Sequence, residues 1–464
     1  MSLLASAASW RPRGSARSLG IFVATSIVCA GPSTALAQDT LRLSLDEAVR
    51  VALERSPSSV RAEQSERAAE ARVRLADAAF GPDLRLSATP GMRYAPGAGT
   101  IAAGESRAGS DDPLTTSLSL GASSTLLLLD GSARNAERAG AELELEAARL
   151  ARRRIAQDVI FRVTTAAIDV AVSAELIGVE RENLAAERRQ LERVDAFVSA
   201  GARPVAERYV QDAAVAAAEL RLLTAERNLA ASRIALALEL GVDPSRPIAL
   251  LAPAPATVDP SDLASAPASA TVAARADLRA QRARIAAAGE DIRGAEAGSA
   301  LSLGLTGGVG TNYSGTASGA FGDQFARNNP AATVGVSVTL PILDRGRSAI
   351  SAEIARIEQQ RAEQQLDELE RQIAAQVELA RLDLRTASTR LGVTERQLEA
   401  ARRALEAEEA RYGSGASTLA ELAQVRARYV SAASQRVQAG YELVERRALL
   451  EYTTGVAPVP GLPE

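Results

Sequence analysis

The chain has 464 residues, 47% hydrophobic and 24% charged, with a formal charge of −4 and no His. That balance excludes a nucleic-acid binder acting through net charge, and Arg alone supplies the positive count because the sequence holds no Lys. With no His and a single Cys, Cys29, most of the chain lacks a His- or thiol-based metal site or nucleophile, and no motif implies a cofactor.

Taken in chain order, Arg11, Arg13 and Arg17 precede an apolar run over residues 21–30 that is too short to span a bilayer as a helix. Ala35-Leu36-Ala37 then offers the small residues a signal peptidase reads, so residues 1–37 read as a secretory signal peptide cleaved before Gln38. A lipid anchor at Cys29 is the rival reading, and Ser26-Ile27-Val28 before it fits a lipoprotein signal poorly. No later run of 18 apolar residues occurs, so no transmembrane helix is predicted.

Ser44-Leu45-Asp46-Glu47 opens a helix with acidic residues in its first turn. Pro57 interrupts it, a second helix is predicted over about 58–79, and Gly81-Pro82 stops that one. The period then changes from 3.6 to 2. Leu84, Leu86, Ala88 and Met92 alternate with Arg85, Ser87, Thr89 and Arg93 in a strand at about 84–94. Leu114, Leu118 and Leu120 alternate with Thr115, Ser117 and Ser119 in a second, at about 114–126, after a Gly-rich loop. Next comes a helix pair over about 131–240, whose first member, free of Pro, is roughly 100 Å long at 1.5 Å per residue. Residues 251–271, with four Pro, read as an extended linker.

The pattern then repeats. Strands are predicted at about 301–313 and about 332–340, joined by a Gly/Asn/Ser-rich loop, and a long helix pair follows over about 345–453. Residues 456–464 read as a flexible tail. Asp130 and Asp344, Gly201 and Gly415, Glu207 and Glu421, and Gly241 and Gly455 all lie 214 positions apart. The chain is therefore an internal duplication, 38–250 and 272–455, mainly α with four β-strands.

Alternation of this kind also fits a half-buried strand of a soluble protein. Strands of nine to eleven residues suit a tilted bilayer crossing, and Tyr94 and Tyr313 lie toward the loop ends where an aromatic girdle belongs. Four strands cannot close a barrel around a pore, and open edges are not tolerated in lipid. Membrane strands here require several chains. A secreted periplasmic coiled-coil scaffold or adhesion protein is the alternative; it explains the helices and the secretion but does not require four strands in register with the duplication. No constellation suits an enzyme.

Three stretches resemble signatures of the outer-membrane efflux protein family, the TolC-like outer membrane channels: Leu43-Ser44-Leu45-Asp46-Glu47-Ala48 with Ser56-Pro57; Pro341-Ile342-Leu343-Asp344-Arg345-Gly346; and Arg411-Tyr412-Gly413-Ser414-Gly415 followed by Leu419, Glu421, Leu422 and Gln424. The resemblance implies a homotrimer in the outer membrane of a Gram-negative bacterium. Its 12-stranded β-barrel, four strands per chain, would continue into a long antiparallel α-helical tunnel in the periplasm. It implies a passive exit duct of a tripartite efflux or type I secretion system, partnered by a periplasmic adaptor (membrane fusion) protein and an inner-membrane pump of RND, ABC or MFS type. Glu421 is placed by it as a carboxylate ring facing the lumen at the closed periplasmic end. Gln424 falls where a second acid is expected, which weakens a second ring. Glu207 helps hold the gate, with Arg203 or Arg411 replacing a cation missing near Ser417. Gly201, Ala202, Gly415, Ala416 and Leu419 would form the adaptor-docking tips, and Arg85 and Arg93 would face the barrel lumen. The plain alternative for Glu207 and Glu421 is helix N-terminal acids held by the helix dipole, and for the two Gly, C-caps.

Overall fold

A computed structural model describes residues 41–94, 114–246, 248–250, 272–315, 317 and 319–456. The signal peptide, the first Gly-rich loop, the linker over 251–271 and residues 457–464 of the tail lie outside the described residues.

A short strand, β1 (Leu41–Leu43), leads into α1 (Leu45–Arg55) and α2 (Pro57–Ala78). Ser44 and Glu47 form a reciprocal capping box at the start of α1. Ser56 ends α1 and caps α2 by accepting from the Ser59 N–H, and Pro57 is the first residue of α2 rather than a break before it. Its missing N–H costs nothing at that position. β2 (Arg85–Tyr94) and β3 (Leu114–Asp130) follow, then α3 (Ala133–Ser199) and α4 (Val205–Leu240). β4 (Ile248–Leu250) pairs in parallel with β1. The second half comprises α5 (Ala276–Ala297), β5 (Ser302–Ser314), β6 (Ala331–Thr339), α6 (Arg347–Gly413) and α7 (Leu419–Thr454).

The duplication is kept to the residue. α3 and α6 each have 67 residues, α4 and α7 each have 36, and their bounds are offset by the 214 positions of the sequence landmarks. At 1.5 Å per residue the long members run about 100 Å. Helices of this length need lateral packing. α3 pairs with α4, α6 with α7; α2 and α5 flank α3, α5 bridges to α6, and α7 packs on α3.

Buried clusters pin the hairpins at successive levels. One joins β1, α1, the middle of α3, the end of α4 and β4 through Leu43, Val49, Val159, Val163, Leu236, Leu240 and Ile248. Leu278, Ile373 and Val377 join α5 to α6, and Ile168, Val437 and Tyr441 join α3 to α7. Gly241 ends α4 at φ 66°, and a Cβ there would lie 2.5 Å from the Arg55 carbonyl oxygen, so both the backbone angle and the close approach require glycine.

β3 continues to Asp130, four residues past its predicted end, through a register shift between Leu127 and Leu129. Leu126 to Leu129 are four leucines in a row, so the period of two vanishes from the sequence where the bulge makes it vanish from the strand. Both strand-to-helix junctions use two consecutive left-handed residues. In the first copy they are Gly131 (φ 66°) and Ser132 (φ 78°); in the second, Arg345 (φ 60°) and Gly346 (φ 75°). Each copy keeps one glycine, at alternate positions of the pair. Asp130 steadies the first junction by accepting from the Arg134 N–H (3.1 Å) and guanidinium (2.8 Å). Asp344 steadies the second by accepting from the N–H groups of Gly346 and Ser348, both at 2.9 Å, and from the Ser348 hydroxyl. The aspartates that mark the repeat thus act as caps for helices whose N-cap positions make no side-chain bond of their own.

Candidate functional site

The four-stranded sheet is antiparallel in the order β2-β3-β5-β6. Residues directly opposite in register share a face. Arg85 opposes Ser123, Thr89 opposes Ser119 and Arg93 opposes Thr115; Ser119 in turn opposes Asn312, and Thr306 opposes Thr125 on one side and Gly335 on the other. This face is Arg, Ser, Thr, Gly and Asn over most of its length. On the other, Leu86 opposes Ala122, Ala122 opposes Val309, and Leu126 opposes Leu305, which opposes Val336. Two sequence runs with the same alternation could have paired one residue out of step; the register instead sorts polar from apolar across four strands.

Over most of its length the apolar face has no partner among the described residues. Leu86, Met92, Val334 and Val336 are all exposed. A patch of this kind on a water-soluble monomer would be a liability. Among the described residues β2 and β6 each present a free edge, and Pro90 lies in β2. No helix among the described residues is long and apolar enough to cross a membrane. Arg85 and Arg93 stand on the polar face, eight residues apart and so about 26 Å along the strand. They do not form one cluster, and Arg85 pairs locally with Asp83 at 2.9 Å.

At the far end of the hairpins, the turns place Gly201 at φ 70° and Gly415 at φ 79°, each with nothing within 4 Å of where a Cβ would be. Both are C-terminal αL residues, and both face open space. Ala202 and Ala416 are exposed beside them. Leu419 departs from the expected exposed tip: it is 6% exposed and packs with Val194, Tyr412 and Leu422 in a core joining the two hairpins. As the first residue of α7 it points back under the turn, where an apolar side chain is better buried.

The repeat-related acids have diverged. Thr418 caps α7, and Glu421 completes a capping box by accepting from the Thr418 N–H (2.9 Å) and hydroxyl (3.1 Å), with the Ser417 hydroxyl at 2.9 Å. The backbone N–H of Thr418, then the hydroxyls of Ser417 and Thr418, hold its carboxyl below the usual carboxylate range. In α4 the cap position is Pro204, which makes no side-chain bond. Glu207 is therefore free of a capping box. It meets Arg203 at 3.4 Å and the Tyr412 hydroxyl at 3.4 Å, and the Arg203 guanidinium lies 5.2 Å from the centre of the Tyr412 ring. Burial, then the Glu207 charge, pushes the Tyr412 hydroxyl up from its ordinary value. Arg411 does not reach Glu207; it pairs with Glu408 at 2.9 Å and donates to the Ala416 carbonyl at 3.3 Å. Gln424 is exposed.

Inward from the tip lies a joint that sequence reasoning missed. Arg426 of α7, 3% exposed, reaches Glu187 of α3 at 3.5 Å and Glu409 of α6 at 2.8 Å. Gln211 of α4 donates to the Glu187 carboxylate at 2.6 Å and to its carbonyl at 3.1 Å. All four long helices thus meet at one buried polar node. No motif could have pointed to it, since Glu187 and Arg426 lie 239 positions apart.

The chain matches the model of a family described as outer membrane efflux protein over residues 48–242 and 268–456. No curated protein sequence is significantly similar to it. Its fold is similar to that of the outer membrane protein VceC from Vibrio cholerae, with TM-score 0.72 and 20% identity over 89% of this chain and 96% of that one. It is also similar to the CmeC outer membrane channel of Campylobacter jejuni, with TM-score 0.76 and 15% identity over 89% and 85%. The open state of the Neisseria gonorrhoeae MtrE outer membrane channel gives TM-score 0.71 and 21% identity over 89% and 88%. The face-sorted sheet, the duplicated hairpins and the matched family model agree, and the chain belongs to the outer membrane efflux protein family.

Proposed function

We propose that three copies complete the channel, each giving β2, β3, β5 and β6 to one closed barrel and its two hairpins to one tunnel, and that this duct passively carries cargo from an inner-membrane pump and periplasmic adaptor to the outside. The observation that carries this is the sheet: among the described residues, an apolar wall left mostly bare, a polar wall opposite, and two free edges. Pairing β2 of one copy with β6 of the next removes every edge. Exposed apolar stripes on α4 (Val205, Tyr209, Leu220, Leu223) and α6 (Ile350, Ile354, Ile357) support lateral contacts of the same kind along the tunnel. A periplasmic scaffold would have no use for a sheet sorted this way.

In this reading residues 1–37 are the signal peptide, 38–250 and 272–455 the two repeats, and 251–271 the linker between them. Three Glu421 carboxylates, ionised at neutral pH, form a cation-attracting ring at the periplasmic end. Glu207, Arg203 and Tyr412 tie the hairpins there. The exposed Gly201, Ala202, Gly415 and Ala416 receive the adaptor. Arg85 and Arg93 face the barrel lumen.

The test is the protein mass of the particle released from outer membranes in mild detergent. A trimer is expected. A monomer, or release without detergent, overturns the shared barrel.

A further inference from the structure

The loop joining β5 to β6 is fastened to one wall of the sheet. β5 outruns β6: their pairing stops at Gly310, while β5 stays paired with β3 as far as Ser314. Into this step folds a helical turn, Phe321–Asp323, continued by a π turn, Gln324–Asn328. Thr311 and Tyr313 stand on the apolar face of β5, opposite Leu120 and Leu118. The Thr311 hydroxyl donates to the Phe325 carbonyl at 2.6 Å. The Tyr313 ring meets the Phe321 ring at 5.0 Å, and Phe325 stacks on Phe321 at 5.2 Å and 16°. A hydrogen bond and a ring contact thus independently place the turn on the apolar wall.

The turn is rigid. Gln324 is 2% exposed; its amide nitrogen donates to the carbonyls of Ser314 (3.2 Å), Ala317 (3.1 Å) and Gly319 (3.0 Å), and its oxygen accepts the Ser314 N–H at 3.0 Å. Yet Phe321, at the centre of the ring stack, is 48% exposed. A fixed loop that had only to stay in water gains nothing by holding a phenylalanine half-open. Aromatic rings are stable at the boundary between headgroups and acyl chains. From Leu303 to Thr311 the apolar wall runs eight residue steps, about 26 Å along the strand, enough for a tilted strand to cross most of an apolar band before the rings begin.

We propose that Tyr313, Phe321 and Phe325 form an outer-leaflet anchor: the β5–β6 loop lies on the lipid-facing rim of the barrel, its rings in the headgroup–acyl boundary, and does not fold over the pore mouth. This rests on the apolar wall facing lipid. The test uses Phe321→Trp and, separately, Phe325→Trp; the one native tryptophan, Trp10, lies in the signal peptide of this reading, so the introduced indole is the only one in the mature channel. The purified channel is placed in phosphatidylcholine vesicles brominated either near the headgroups or near the chain ends. Emission blue-shifted from that of indole in water is expected, with quenching at least about twofold stronger by the shallow bromines. Val336→Trp, mid-strand on the same wall, is the companion and is expected to be quenched by both lipids. If Val336→Trp is quenched but both loop tryptophans are reached only by aqueous acrylamide, the anchor is overturned and the channel reading stands. Stronger quenching of the loop by the deep bromines overturns the boundary position. If Val336→Trp is also unquenched, the lipid-facing wall itself fails, and the anchor with it.

Discussion

At the residue scale, two left-handed non-glycine residues stand out. Ser132 and Arg345 each occupy the junction position that the other repeat gives to glycine. A side chain in that conformation costs about 1 kcal/mol. Ser132→Gly and Arg345→Gly are each expected to raise stability by about that much, read as a higher unfolding midpoint in denaturant; a drop would show that the side chains make contacts outweighing the strain. Glu421 carries a second prediction. Hydrogen bonds from the Thr418 N–H and neighbouring hydroxyls lower its folded pKa, so its contribution is present above the ordinary carboxylate range and is lost as pH falls through the folded value. Block of single channels by a trivalent cation in planar bilayers is expected to persist at mildly acidic pH and to vanish in Glu421→Ala. Unchanged block in that variant would remove Glu421 from the conduction path. Arg426→Ala leaves Glu187 buried without a counter-charge, held only by the Gln211 amide, and is expected to cost about 3 kcal/mol, most of it from Glu187 because Glu409 is partly solvated. Adding Glu187→Gln is expected to recover much of the loss; no recovery would assign the cost to packing.

At the scale of elements, α4 and α7 have identical lengths but different starts. Thr418→Ala is expected to cost about 1 kcal/mol through loss of the capping box, whereas Pro204→Ala changes little, because Pro204 makes no side-chain cap bond. Equal losses in the two variants, compared by thermal unfolding in detergent, would contradict this. The bounds of the helices read from the sequence lie within two residues of those observed because glycine, proline and charge pattern punctuate the chain where the backbone turns; α5 (Ala276–Ala297) is not among them. The positions of the four strands of the large sheet were legible because a period of two survives wherever one face is apolar; the three-residue β1 and β4 are too short to show one. What was not legible arises from geometry between distant positions. The bulge in β3 erased its own signal within four leucines. Leu419 reads as part of an exposed turn, yet tertiary packing buries it. The Glu207–Tyr412 contact and the Arg426 node join segments more than 200 positions apart, and nothing local encodes them. The β5–β6 loop reads as polar from its Gly, Asn and Ser, while two phenylalanines decide its placement.

On the scale of the whole molecule, three of the buried clusters bind the two repeats of one chain to each other, but the sheet and the exposed helix stripes are left for other chains. Folding and assembly should then be coupled, and the thermal midpoint in detergent is expected to rise with protein concentration. A midpoint independent of dilution would show that one copy is stable alone. The free edges of β2 and β6 carry a further consequence for how such a molecule comes to exist. Closure that needs three chains proceeds at a rate falling steeply with scarcity, so a cell making few copies leaves each new chain waiting with its backbone ladder open. During that wait any extended peptide is a competitor for the edge, and output is governed by the encounter frequency of siblings rather than by the speed at which any one of them folds.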